Sequence, residues 1–263
     1  MLEIYKLYLP KSKREVMIEV SGPRNKEGIT FDTIYFLDGQ NAFKDSHASF
    51  GRSLRATKIL GPFAKETKHR ILGVAVYNSG SELGRINEYS PFLINTIAND
   101  EWKDQDTEVF KNYAHDFIYT IIPFIENKYN TYKDNNHRAI YGSSLGAICA
   151  LYLAFAYKDS FKYVGAFSTP TFLFHDKFMR FLKRKIDNQK DVFLYCGLNE
   201  QSDDYFDKSA YSNASLELYE FFKSNYIRTK LVLDQKGLHN EETWGNNLIY
   251  FVNFIYYDDI LYK

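Results

Sequence analysis

The sequence predicts an α/β fold in which a mostly parallel sheet is covered by helices on both faces. Short β-rich apolar runs alternate along the chain with longer stretches that carry apolar residues at helical spacing, and this alternation is typical of parallel sheets with right-handed crossovers. With 263 residues and 45% hydrophobic content, the chain is long enough for a large core. Because it shows no internal repeat or linker, we predict a single domain over residues 1–263.

The predicted elements follow this alternation. Residues 2–9 and 15–20 are expected to form two antiparallel strands at one edge of the sheet. The other predicted strands are 33–37, 70–77, 139–141, 163–167, 192–196 and 229–233. The predicted helices are 50–65, 107–129 with a kink at Pro123, 147–158, 172–186, 215–224 and 243–257.

Between the strand at 139–141 and the helix that follows lies Gly142-Ser143-Ser144-Leu145-Gly146, a G-x-S-x-G motif. This motif forms a nucleophile elbow, in which a serine sits on a strained strand-to-helix turn with its hydroxyl exposed. We expect both glycines to be required, because the backbone folds back so tightly that a side chain would collide with its neighbours. The helix N-terminus favours negative charge developing nearby. The motif therefore predicts Ser144 as a catalytic nucleophile.

A serine nucleophile needs a base, and the base needs an orienting acid, which in this type of fold follow in the order Ser, Asp or Glu, His. Two histidines lie downstream of Ser144. His239 follows the last predicted strand and fits the base, whereas His175 precedes any acid-bearing strand end and fits poorly. The acid is expected after the strand at 192–196. Glu200 is nearest that strand end, and Asp203 and Asp204 remain alternatives.

An oxyanion hole needs two backbone N–H groups. The residue after the nucleophile, Leu145, supplies one. The turn Asp38-Gly39-Gln40 after the strand at 33–37 is the best source of the second, with the Gln40 N–H as donor. Residues 78–102 form a long connection without predicted helix, and such connections are usually functional or mobile. Because the connection between the strands at 163–167 and 192–196 is short, we expect no separate cap domain, and any lid must come from 78–102.

Four segments together resemble the putative esterase family of α/β-hydrolases, which includes enterochelin-esterase-like, esterase D-like, feruloyl and acetylxylan esterases and the mycolyltransferases. These segments are FLDGQNAF at 36–43, GSSLG at 142–146, GLNE at 197–200 and HNEETW at 239–244. The resemblance implies an α/β-hydrolase fold, a Ser144–Glu200–His239 triad and oxyanion donors at Gln40 and Leu145. Residues 85–91 also resemble the R-x-x-E-Y-x-P segment of bacterial members, which implies substrate-binding roles for Arg85, Glu88 and Tyr89. The family more often has Gly where Ala147 stands, and many members have Asp where Glu200 stands.

The resemblance implies a metal-independent serine esterase without a cofactor, acting on a small-molecule ester. We expect a short acyl group on a soluble or bulky alcohol, such as a sugar or siderophore fragment. An acyltransferase or a non-catalytic binding relative with the same fold is the alternative.

Composition narrows the remaining function classes. The net charge is zero, so no electrostatic footprint for nucleic acid or an anionic membrane exists at the level of the whole chain. The short basic run 183–185 is read as a solvated helix end, and Cys149 and Cys196 as buried free thiols. Without a signal-like or transmembrane-length apolar run, the protein is expected to be cytoplasmic. A homo-oligomer is compatible with the sequence.

Overall fold

The computed structural model describes residues 1–23, 28–94, 102, 104–200 and 209–257. Within them, eight strands form one sheet in the order β1-β2-β4-β3-β5-β6-β7-β8. The strands are β1 (Leu2–Leu9), β2 (Arg14–Ser21), β3 (Asp32–Phe36), β4 (Ile71–Val76), β5 (Arg138–Ser143), β6 (Tyr163–Phe167), β7 (Asp191–Gly197) and β8 (Arg228–Asp234). β1, β2 and β4 pair antiparallel, and the pairs from β4 through β3 to β8 are parallel. The predicted mostly parallel α/β sheet is therefore confirmed.

The burial of each strand follows its sequence pattern. β1 alternates between exposed and partly buried residues, as expected of an edge strand with one face on the core. Every residue of β4, β5 and β7 is buried, because helices cover both faces of the sheet at its centre. The carboxyl ends of β3, β5, β6 and β7 lie at one edge, where ligands of parallel sheets bind.

Eight α-helices are found in the described residues, and they divide between the two faces. They are α1 (Thr57–Thr67), α2 (Glu82–Tyr89), α3 (Thr107–Asp116), α4 (Ile122–Lys128), α5 (Leu145–Ala156), α6 (His175–Lys185), α7 (Ala210–Ser224) and α8 (Glu241–Tyr256). One core cluster joins the sheet to α1 and α8, and a larger one joins it to α2 through α7. The helix α5 is apolar nearly all round because it is enclosed within the larger cluster.

The first predicted helix begins seven residues later than expected. Residues 50–56 form a loop in which Gly51 and Arg55 have φ of 71° and 52°. The amides of Leu54 and Ala56 donate to carbonyls of residues 41 and 42, at 2.8 and 3.0 Å, instead of continuing a helix. Tertiary hydrogen bonds to the turn after β3 therefore override the local helical pattern.

Three other expectations need correction in detail. The connection at 78–102 is not all loop, because it contains α2, whose N-terminus is capped by the Ser81 hydroxyl accepting from the Gly84 amide at 3.1 Å. The predicted kink near Pro123 takes the form of a π-helical turn at Phe117–Ile121, between α3 and α4. Helix α7 begins five residues earlier than predicted.

Both cysteines are buried free thiols, as predicted. Of the helices in the described part of the chain, none has the length and apolar character needed to cross a membrane.

Candidate active site

Ser144 lies in the sharp turn between β5 and α5, in a strained conformation with φ 53° and ψ −131°. A Cβ on Gly142 would lie 2.1 Å from the Gly146 carbonyl oxygen, so only glycine fits there. At Gly146 the nearest atom to such a Cβ is 3.4 Å away, an ordinary contact. The expectation that both glycines are required therefore holds for the first and is wrong for the second.

The surrounding backbone fixes this turn. The Ser144 amide donates to the Phe167 carbonyl at 2.9 Å, which ties the turn to the end of β6. Leu145 is the first residue of α5, so its N–H has no acceptor within the helix. That N–H, at the positive end of the helix dipole, is available to an oxyanion formed beside Ser144.

The structure brings the predicted acid and base together. Glu200 Oε2 lies 3.0 Å from His239 Nδ1. Because a carboxylate accepts, His239 Nδ1 donates, and Nε2 of the neutral ring is left free to take a proton. Glu200 is 2% exposed, and its Oε1 accepts from the Gly197 amide at 2.8 Å. The alternatives Asp203 and Asp204 lie outside the described residues.

Two glycines allow the acid-bearing and base-bearing loops to meet. A Cβ on Gly197 would lie 2.4 Å from the Gly237 backbone, and one on Gly237 would lie 2.6 Å from the Gly197 Cα. The Asn199 amide donates to the Gly237 carbonyl at 3.1 Å. This close backbone contact sets the separation between Glu200 and His239.

Ser168 is a site residue that the sequence reasoning missed. It follows β6, is fully buried and has φ 52°. Its hydroxyl donates to Glu200 Oε1 at 2.5 Å and accepts from the Trp244 indole Nε1 at 2.8 Å. Glu200 thus accepts three hydrogen bonds, from Ser168, Gly197 and His239, and the first two hold its carboxylate in place beside the imidazole. The positive φ of Ser168 cannot be read from the sequence, because the residue is not a glycine. Only the position of Ser168 directly after a predicted strand could have indicated a role in the site.

Aromatic rings hold the imidazole from two sides. Tyr211 packs against His239 at 4.5 Å between ring centroids, and Trp244 meets it edge to face at 4.8 Å. The His239 side chain remains 23% exposed, and it lines the same cleft as Ser144. The ring is therefore confined in orientation while one edge stays accessible.

The turn that supplies the second predicted oxyanion donor is also strained. Asp38 adopts the left-handed conformation, with φ 51° and ψ 48°, ahead of a 3₁₀ turn at Gly39–Asn41. A Cβ on Gly39 would lie 2.4 Å from the Val76 amide, so the turn packs directly on the end of β4. Gln40 lines the cleft, and its N–H precedes the first hydrogen bond of the 3₁₀ turn.

Of the three residues expected to bind substrate, the structure brings only Arg85 to the cleft. Its guanidinium pairs with the Asp38 carboxylate. Glu88 is 2% exposed and accepts from Arg14 Nε at 2.5 Å on the far side of α2, where burial raises the pKa of its carboxyl. Tyr89 is fully buried. Glu88 and Tyr89 are therefore core residues, because α2 turns them away from solvent.

The rejected base candidate, His175, lies at the surface. Its Nε2 is 2.8 Å from Glu217 Oε1, and this contact, together with Asp176, raises the pKa of the imidazole. It does not line the cleft.

The cleft has a volume of about 740 Å³, and apolar atoms contribute the larger share of its lining surface. Most of the lining residues carry a hydroxyl, amide or charged group, and the ring of Phe50, which is 80% exposed, stands at the rim. The Glu241 carboxyl faces the cleft and accepts from Asn41 Nδ2 at 2.8 Å; burial raises its pKa. Among the described residues, no cluster of three or more His, Cys, Asp or Glu side chains is arranged to hold a metal ion.

Comparison with known proteins identifies the family and the fold. The family model described as putative esterase matches residues 10–254. The chain is similar to the BES protein from Bacillus cereus, with TM-score 0.75 and 20% identity over 97% of this chain and 95% of the other. It is also similar to a ferulic acid esterase from Anaeromyces mucronatus, solved with ferulic acid, with TM-score 0.69 and 17% identity over 96% of this chain and 89% of the other. A third similar structure is the siderophore hydrolase EstA from Aspergillus nidulans, with TM-score 0.73 and 16% identity over 96% of this chain and 94% of the other. At these identities the three structures show the shared fold alone.

Proposed function

This chain belongs to the putative esterase family and is an esterase, and we propose that it hydrolyses carboxylic esters through an acyl-enzyme formed on Ser144. The observation that carries the proposal is the contact between His239 Nδ1 and buried Glu200 at 3.0 Å, in a cleft that also contains the strained Ser144. Nucleophile, base and acid come from three separate loops. These loops meet at one edge of the sheet, and acyl transfer by a serine requires a nucleophile, a base and an orienting acid close together.

The proposed reaction has two halves. His239 Nε2 takes the proton as Ser144 Oγ attacks the ester carbonyl, and Glu200 stabilises the resulting imidazolium. The N–H groups of Gln40 and Leu145 donate to the oxyanion. On collapse of the tetrahedral intermediate, the carbon–oxygen bond to the alcohol breaks and His239 returns the proton to the leaving oxygen. Water, deprotonated by His239, then attacks the acyl carbonyl. The bond to Ser144 Oγ breaks, His239 returns the proton to Oγ, and the carboxylic acid is released.

We propose a short acyl group on a soluble or bulky alcohol as the substrate class. In support, Phe50 and Trp244 are the large apolar side chains among the described residues that line the cleft, and Phe50 is 80% exposed. A long acyl chain would therefore leave methylenes unburied, and each of these forgoes about 0.8 kcal/mol of binding free energy. Esters of aromatic acids and of siderophore fragments belong in the substrate screen, because two similar structures are a ferulic acid esterase and a siderophore hydrolase.

The chemistry is tested by comparing neighbouring serines. Ser144→Ala should lower kcat by several orders of magnitude, whereas Ser143→Ala, which removes the adjacent hydroxyl, should retain most activity. Equal turnover by Ser144→Ala and the wild type would refute the proposal. Measuring acyl transfer to added alcohols in competition with water separates an esterase from an acyltransferase.

The identity of the acid is tested separately. Glu200→Gln should lower kcat more than Asp203→Asn or Asp204→Asn, because the acid orients the imidazole and stabilises its charged form. If an aspartate substitution is the most damaging, the acid is that aspartate.

A further inference from the structure

The turn at residues 38–40, which carries the proposed oxyanion donor Gln40, holds a conformation that its own sequence does not favour. Asp38 is a non-glycine residue with φ 51°, and such a residue keeps a left-handed conformation only where its surroundings hold it there. The next two residues carry the turn to Gln40, the proposed oxyanion donor. A change in the geometry of Asp38 would therefore move the Gln40 N–H.

Three side chains from the segment 78–89 hold Asp38. Arg85 donates twice to the carboxylate, from Nε to Oδ1 at 2.8 Å and from Nη2 to Oδ2 at 2.7 Å. Asn78 Nδ2 donates to Oδ1 at 2.7 Å. The Asp38 backbone amide donates to the Tyr89 hydroxyl at 2.8 Å. The segment thus binds both the side chain and the main chain of the strained residue.

The burial of these groups indicates which of them can touch a substrate. Tyr89 is fully buried in the larger core cluster, so its hydroxyl acts on the turn and not on a ligand. Arg85 stacks over the Tyr89 ring, 5.5 Å from its centroid, and two of its three nitrogens are occupied by Asp38. Its guanidinium is therefore already fixed in position by protein groups.

Charge gives Arg85 a second effect on the reaction. The Asp38 carboxylate lines the cleft in which the oxyanion would form, and only 8% of its side chain is exposed. An unpaired carboxylate at this position would repel negative charge developing on the substrate oxygen. The paired Arg85 guanidinium neutralises it.

We propose that Arg85 and Tyr89 are positioning residues, which hold Asp38 so that the Gln40 N–H stays aimed at the oxyanion. This inference rests on the proposed function. It assigns Arg85 and Tyr89 to transition-state stabilisation instead of substrate recognition. Oxyanion donors act at about 2.7–3.1 Å from the charged oxygen, so a small displacement of the turn lowers the rate without weakening substrate binding.

The test separates the two roles with Tyr89→Phe, which removes one buried hydroxyl and keeps the ring. Tyr35→Phe is the matched control, because Tyr35 is also fully buried and its hydroxyl has no partner among the described residues. Stopped-flow burst kinetics with p-nitrophenyl acetate give the acylation rate constant and the substrate dissociation constant separately. Deleting an oxyanion donor costs roughly 10²–10³-fold in rate, and we expect displacement in Tyr89→Phe to cost about tenfold, with the dissociation constant unchanged.

Arg85→Gln is a second variant. It should also lower the acylation rate constant without changing the dissociation constant, and the fall should be larger because this change removes the positive charge paired with Asp38. A raised dissociation constant with an unchanged acylation rate in either variant would show substrate recognition and overturn the inference. So would equal acylation rates in Tyr89→Phe and Tyr35→Phe. Ser144→Ala is measured in parallel. If that variant gives the same burst as the wild type, the proposed function fails, whereas a Ser144-dependent burst that Tyr89→Phe leaves unchanged overturns the positioning role alone.

Discussion

Removing the Ser168 hydroxyl should weaken both the fold and the chemistry. In Ser168→Ala, Glu200 Oε1 keeps the Gly197 amide as its donor but loses the hydroxyl, and the Trp244 indole N–H loses its acceptor. A hydrogen bond to a charged group contributes about 1.5–3 kcal/mol, and a buried donor left without a partner costs about 1–3 kcal/mol. Because neighbouring groups relax, we expect the free energy of unfolding to fall by about 2–4 kcal/mol.

The same change should slow acylation, because a less firmly held Glu200 orients His239 less well. Misplacement of a catalytic group by about 1 Å can cost 10²-fold in rate, so we expect a fall of about ten- to a hundredfold. Trp244→Phe should keep most activity, since Ser168 can still donate to Glu200. Urea unfolding followed by fluorescence measures the stability, and stopped-flow acylation measures the rate. Ser160→Ala, at a buried serine at the opposite end of the sheet, is the control.

Wild-type stability and acylation in Ser168→Ala would refute this reasoning. A second test is the double variant Ser168→Ala/Trp244→Phe. Because the two side chains share one hydrogen bond, the losses of unfolding free energy in the two single variants should add up to more than the loss in the double variant. If the two single losses add up to the loss in the double variant, Ser168 and Trp244 are not coupled through this hydrogen bond.

Three further outcomes follow from the geometry. Gly142→Ala should abolish esterase activity or prevent folding, whereas Gly146→Ala should remain folded and active, as judged by circular dichroism and ester turnover. Burial raises the pKa of Glu241 in the folded protein above the ordinary carboxyl value of 4.5, so the wild type loses stability as this carboxyl ionises at higher pH. The free energy of unfolding of Glu241→Gln should therefore rise relative to that of the wild type as pH increases above 4.5. Urea unfolding across pH 4.5–8 measures this. In a series of p-nitrophenyl esters from acetate to palmitate, kcat/KM should peak at acetate or butyrate, and a maximum at octanoate or beyond would reveal an acyl tunnel.

Much of the fold could be predicted because its signals are local. Apolar runs at β3 to β7 specify strands that are buried on both faces, and the motif around Ser144 requires a turn between strand and helix. The position of His239 after the last strand and of Glu200 after the strand before it followed from chain order alone. The resemblance to the putative esterase family is confirmed by the family match over residues 10–254.

The remaining features depend on contacts between distant residues. The start of α1 is set by hydrogen bonds from residues 54 and 56 to the turn after β3, which no helical pattern contains. Glu88 and Tyr89 are polar residues in a motif, yet the orientation of α2 buries them beside Arg14 and Asp38. Such tertiary effects lie beyond sequence periodicity.

The central claim is that Ser144 is the nucleophile, and covalent labelling tests it most directly. After treatment with a fluorophosphonate, peptide mass spectrometry should place a single adduct on Ser144, and Ser144→Ala should label at a greatly reduced rate while Ser143→Ala labels normally. An adduct on another residue, or labelling of Ser144→Ala at the wild-type rate, would contradict the claim.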